Sequence, residues 1–187
     1  MATEPVTLLD IVADHLENRG VPFALIGAAA LAIHGISRST LDIDLLVTDR
    51  SVLEAAFWGT LPPTVARAIR PGDSTDPLAG VIRFRAIGER DVDIVIGRSA
   101  WQTQILARAE PTQRGGREIP TARADDLILL KLYAGGSQDR WDIEQLLAGP
   151  DRPVLIEAVE RLLTQLPMDA QQLWRTLREH SGGGARD

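Results

Sequence analysis

Residues 26–47 read IGAAALAIHGISRSTLDIDLLV, and the way this run divides decides the fold. Val21 to Ile26 is a short apolar stretch of strand character. Gly27 interrupts it, and the alanine-rich residues that follow have helical character up to Gly35. ISRST is a polar connector, and Leu41 to Val47 returns to a strand, so the segment reads as strand, glycine turn, short helix, strand. Asp42 and Asp44 sit two residues apart on that last strand. Side chains alternate faces along a strand that rises about 3.3 Å per residue, so both carboxylates point the same way. Carboxylates held so close repel unless a cation lies between them, and Mg²⁺ is held in this manner, by one or two carboxylates together with substrate phosphates. An ordinary half-buried strand with one solvated face produces the same alternation. The pair by itself leaves both readings open.

On either side of this run the pattern is mixed. Leu8, Leu9, Ile11, Val12 and Leu16 recur at helical spacing, which predicts a first helix over Pro5 to Arg19 with Gly20 as its stop. A helix is predicted from Arg50 to Trp58 and a weak strand from Val65 to Ile69. Gly80–Ile87 and Arg90–Ile96 read as a hairpin turning at Gly88 and Glu89. Asp91 and Asp93 share a face of its second strand. Arg83 and Arg85 share a face of the first, but a one-residue slip in register decides whether they meet Asp93 or turn away from it. Ser99 caps a helix to Arg108, and REIP, after Gly115 and Gly116, reads as a last strand. Four helical stretches follow: Ala124–Ala134, Asp139–Leu147, Pro153–Leu166 and Asp169–Glu179. The expected organisation is an α/β core over residues 1–120, a helical segment packed on it over 121–180, and a disordered tail, SGGGARD, at 181–187.

Composition narrows the chemistry. The 187 residues contain no cysteine, which excludes disulfides, thiolate catalysis and cysteine-bound zinc. The three histidines, His15, His34 and His180, have no paired ligand spacing. A formal charge of -6 argues against a broad footprint on duplex DNA. The longest apolar stretch, Val21 to Ile33, contains Pro22 and Gly27 and falls short of the roughly 20 residues that a membrane helix needs. The opening MATEPVTLLD lacks a basic leader, so a cytoplasmic location is expected.

Candidate site residues follow from the same segments. Backbone N–H groups at Gly27, Ala28 and Ala29, where the short helix starts, can face the phosphates of a nucleotide. Asp42 and Asp44 can hold metal, and two-metal sites stabilise both the attacking and the leaving oxygen of an in-line displacement. Asp93, in VDIVIG, is the best third acid. Arg38 can steer a triphosphate through its planar guanidinium, or simply decorate a loop.

The glycine turn, short helix, Asp-x-Asp strand and later lone Asp together resemble the nucleotidyltransferase superfamily. The His-Gly and Arg-x-Thr ahead of the acids are most similar to its toxin-like branch, related to type IV abortive-infection nucleotidyltransferases. The stretch ADDLILLKLYAGGSQDRWDIEQLL resembles the downstream helix of that group. The likeness implies a nucleotidyltransferase-like α+β fold, with a small mixed twisted sheet flanked by helices and a helical C-terminal segment. It implies Asp42, Asp44 and Asp93 as metal ligands for Mg²⁺ or Mn²⁺. It also implies Asp93 as general base, Lys131 on the nucleotide phosphates, and Asp139 and Asp142 near the site. Ala28 departs from the Gly or Ser often found at the second turn position. The implied reaction moves a nucleoside monophosphate from a nucleoside triphosphate to a hydroxyl on a tRNA 3′ end or a partner protein, as the toxin of a toxin-antitoxin pair with its cognate protein. The alternatives are transfer to a small antibiotic, or a nucleotide- or partner-binding module without turnover.

Overall fold

The computed structural model describes residues 6–38 and 42–180. The expected helix start at Pro5, strand start at Leu41 and disordered tail at 181–187 lie outside them. The chain forms two compact units. One takes the residues up to Ala30 and Arg38–Ala122, and the other takes Leu31–Ser37 and the residues from Arg123 on.

The first unit is built on a seven-stranded mixed sheet. Its strands are β1 (Phe23–Ile26), β2 (Ile43–Val47), β3 (Ala66–Pro71), β4 (Gly80–Arg85), β5 (Val92–Ile96), β6 (Glu110–Arg114) and β7 (Arg117–Thr121), in the order β3-β4-β5-β2-β1-β7-β6. β2 runs parallel to β5 and β1 parallel to β7, while the other neighbours are antiparallel. One row of register partners, Ile82, Ile94, Leu45 and Leu25, crosses four strands and is fully buried. Alternation places the residues one step along each strand on the opposite face. Helix α1 (Leu8–Asn18) starts at Thr7, whose hydroxyl accepts from the Asp10 N–H while its own N–H donates to Asp10 Oδ2. His15 of α1 stacks on Trp58, and Trp58 meets Phe84 of β4 edge to face.

Two expectations differ from this structure. Residues 50–58 form two 3₁₀ turns, Arg50–Leu53 and Ala55–Trp58, with extended backbone at Glu54, rather than one α-helix. The reason is Trp58: its indole N–H donates to the Val52 carbonyl at 2.7 Å as the ring becomes fully buried. In an α-helix that carbonyl would have bonded the N–H of Ala56. The sheet is also larger than expected. β6 pairs with β7 through a turn whose Gly115 and Gly116 both have positive φ, as a type I′ hairpin demands. Its sequence EPTQR has no apolar alternation because it is an edge strand, where Pro111 is tolerated.

Helix α2 (Gly27–Ile33) follows β1, and α3 (Ala100–Arg108) packs on β1 and β2. The second unit holds α4 (Ala124–Ala134), α5 (Ser137–Leu147), α6 (Arg152–Leu162) and α7 (Met168–His180), with α4 packed against the other three. Gly135, at φ 71°, ends α4 and donates its N–H to the Lys131 carbonyl. No helix among the described residues is long and apolar enough to cross a membrane.

Ile94 is fully buried on the interior strand β5, between Ile82 and Leu45, so Ile94→Ala should lower unfolding free energy by about 2–5 kcal/mol. Urea titration should show a lower midpoint at an unchanged slope.

Candidate active site

The acids are brought together by strand register. Asp44 of β2 is paired with Asp93 of parallel β5 and, on its other side, with Ile26 of antiparallel β1. The two carboxylates therefore project from one face on adjacent strands, one step out of phase with the buried row. Gly27 follows Ile26 directly, with φ 64°, and a Cβ there would lie 2.0 Å from Asp44 Oδ2 and 2.9 Å from its Cγ. Only glycine satisfies both the left-handed backbone and the seat for the Asp44 carboxylate.

Arg83 of β4 faces Asp93 across the hairpin. Its Nε donates to Asp93 Oδ1 at 2.8 Å and its NH2 to Oδ2 at 2.5 Å, a bidentate pair. The same NH2 lies 3.6 Å from Asp42 Oδ2, so Asp42 reaches the face that carries Asp93. The bond to Asp93 and its charge, with lesser help from Asp42 and Asp91, push the Arg83 pKa up and hold the guanidinium charged. A second pair runs alongside: Arg85 Nε donates to Asp91 Oδ2 at 2.8 Å. Neither arginine has an assigned role in the sequence reading. The signal was present as Arg-x-Arg on one arm of the hairpin opposite Asp-x-Asp on the other, but it needed the register.

A cavity of about 420 Å³ elsewhere in this unit is lined by Leu9, Ile43, Arg90 and Arg114. Ile43 lies between Asp42 and Asp44 and alternates away from them, so this cavity is on the other side of the strand from the acids. Arg38 is half-buried in the connection from α2 to β2, and Ala28 occupies the second position of α2.

Lys131, Asp139 and Asp142 form a cluster in the second unit. Lys131 Nζ donates to Asp139 Oδ1 at 2.8 Å and lies 2.7 Å from Asp142 Oδ2, whose side chain is fully buried. Asp139 Oδ2 also accepts from the Gly136 N–H and caps α5. The ammonium thus ties α4 to α5.

Among the described residues no three Asp, Glu or His side chains are arranged to hold a metal ion as they stand. The donor set nonetheless suits a hard cation, since Asp42, Asp44 and Asp93 offer only oxygen. Two of them already share one positive charge, that of Arg83.

The architecture matches the solution structure of the antibiotic-resistance factor ANT(2'')-Ia at TM-score 0.52, with 15% identity over 95% of this chain and 96% of that one. The fold is that of the nucleotidyltransferases. ANT(2'')-Ia in complex with adenylyl-2''-tobramycin gives a TM-score of 0.48, at 17% identity over 95% of this chain and 99% of that one. The lincomycin-bound lincosamide adenylyltransferase LnuA gives 0.46, at 15% identity over 74% of this chain and 93% of that one. No protein-family model and no curated protein matches the sequence.

Gly27→Ala should destabilise the protein more than Gly20→Ala. Both glycines have positive φ, but only Gly27 has a carboxylate where the new methyl would go. Gly20→Ala should cost about 1–2 kcal/mol for the backbone alone, and urea denaturation of the two variants checks the order. Lys131→Met removes the cation beside the buried Asp142 and should cost about 3–5 kcal/mol. The double variant Lys131→Met/Asp142→Leu should recover part of that loss in the same assay.

Proposed function

We propose that this protein is a metal-dependent nucleotidyltransferase that moves a nucleoside monophosphate from a nucleoside triphosphate to an acceptor hydroxyl. The observation that carries the reading is the pairing of Asp44 with Asp93 on one sheet face, with Asp44 seated on Gly27. The nucleotidyltransferase fold supports it. Asp42, Asp44 and Asp93 would hold Mg²⁺ or Mn²⁺, which when bound neutralises the triphosphate and the leaving pyrophosphate. The acceptor oxygen bonds to the α-phosphorus, the bond from that phosphorus to the pyrophosphate oxygen breaks, and Asp93 takes the acceptor proton. Gly27 and Ala28, directly after the strand that flanks Asp44, and Arg38 are assigned to the nucleotide phosphates.

Lys131 belongs to the same reading as a cation on the phosphates, with Asp139 and Asp142 supporting it. Its ammonium is engaged by both of those carboxylates, so it acts on a nucleotide only by sharing or leaving that cluster.

Charge around the acids bears on the acceptor. Arg83 and Arg85, the arginines nearest them on the sheet, are each spent on an aspartate. With both guanidiniums engaged, these two arginines offer no spare positive charge to the polyanionic backbone of tRNA, which favours a small neutral or cationic hydroxyl compound as acceptor. An antibiotic of the kind handled by ANT(2'')-Ia fits that chemistry. tRNA and protein acceptors, with a toxin role and a cognate antitoxin, follow from the motif likeness.

Incubation with each α-labelled nucleoside triphosphate and Mg²⁺, against aminoglycosides, lincosamides, total RNA and cell protein, should label one acceptor class and release pyrophosphate. Asp44→Asn should lower the rate by at least about a hundredfold, as expected for loss of a ligand in a metal-assisted transfer. Nucleotide binding by calorimetry without transfer to any acceptor would replace the enzyme with a binding module. Absence of both would end the reading.

A further inference from the structure

Arg83 stands among the acids with no part in the reaction as described. Register places it opposite Asp93, and its two nitrogens occupy both oxygens of that carboxylate. Its NH2 also lies within ion-pair range of Asp42. A guanidinium therefore already covers oxygens that a metal would need. It cannot leave by losing its proton, because an arginine side chain stays charged at any working pH. Asp93 is nearly buried, and its charge would be costly without a counter-ion.

We propose that Arg83 is the resident counter-ion of the metal site: it holds Asp93 in place while the site lacks a divalent cation, and the cation binds by displacing it. The inference rests on the metal-dependent reading above and adds a competition internal to this chain. The guanidinium has room to move. Its side chain is 40% exposed, and its neighbour across β3 is the small, exposed Ala68. While the Arg83–Asp93 pair persists, the binding-competent form is only a fraction of the protein, and apparent metal affinity falls by that fraction. A pair that only fastened β4 to β5 would stay closed whether or not metal was bound.

Titration with Mn²⁺ alone, followed by electron paramagnetic resonance of the free ion, tests this on the wild type, Arg83→Gln, Arg83→Lys, Asp44→Asn and the double variant Arg83→Gln/Asp44→Asn. Arg83→Gln should bind Mn²⁺ at least about tenfold more tightly than the wild type, because removing one neighbouring positive charge is worth that much at a partly buried site. Arg83→Lys, which keeps the charge but loses the two-pronged grip, should fall between them. In the wild type, the ¹⁵N-resolved Arg83 Nε–H signal should lose its hydrogen-bonded shift at saturating Mg²⁺. That measurement decides the matter if Arg83→Gln does not fold. Folded Arg83→Gln with unchanged or weaker Mn²⁺ affinity, or an Arg83 signal unmoved by Mg²⁺, overturns the counter-ion role and leaves the metal reading standing. If no Mn²⁺ binding depends on Asp44 in either wild type or Arg83→Gln, the metal reading falls and the proposal falls with it.

Discussion

The parallel pairing of β2 with β5 governs the acid face. It sets Asp44 beside Asp93, two like charges on adjacent strands, an arrangement that destabilises a sheet unless something compensates it. The compensation comes from the neighbouring strands. β1 ends beside Asp44 and hands over to Gly27, whose missing side chain leaves space for the carboxylate. β4 supplies Arg83 to Asp93 and Arg85 to Asp91. One residue out of phase, the same four strands contribute Ile82, Ile94, Leu45 and Leu25 to a fully buried row. The core and the charged face are thus two phases of one pleat. A slip that moved the acids would also expose the core.

The second unit handles charge differently. Lys131 bridges Asp139 and Asp142 with almost no solvent contact at Asp142, so three ionised groups link consecutive helices. Such clusters tolerate loss of a partner poorly, since the remaining charge stays buried. On the acid face Arg83 and Asp42 are both substantially open to water. A half-exposed guanidinium changes partners at lower cost than a lysine whose ammonium sits between two carboxylates, one of them fully buried.

Much of this was legible in the residues. The division of residues 26–47 into strand, glycine turn, helix and strand rests on local signals, and so does the helix cap at Ser99. The hairpin over residues 80–96 was readable, but its partners were not, because Arg83 meets Asp93 only if the turn places them opposite each other. The 3₁₀ turns near Trp58 escaped because apolar spacing suits an α-helix, whereas the indole bond to Val52 is a tertiary event. β6 escaped because an edge strand buries little and carries no alternation.

By itself the sequence determined which residue types were available: oxygen donors without thiols, a glycine at the strand end, and acids at a spacing that shares one face. Local chemistry is enough for that, since alternation and turn preference act over a few residues. Which acids meet, and what charge already sits on them, only the tertiary structure decided. Asp44 and Asp93 are 49 positions apart along the chain, and Arg83 reaches both Asp93 and Asp42 through strand pairings of opposite sense. Register is a property of the assembled sheet, and no local preference encodes it.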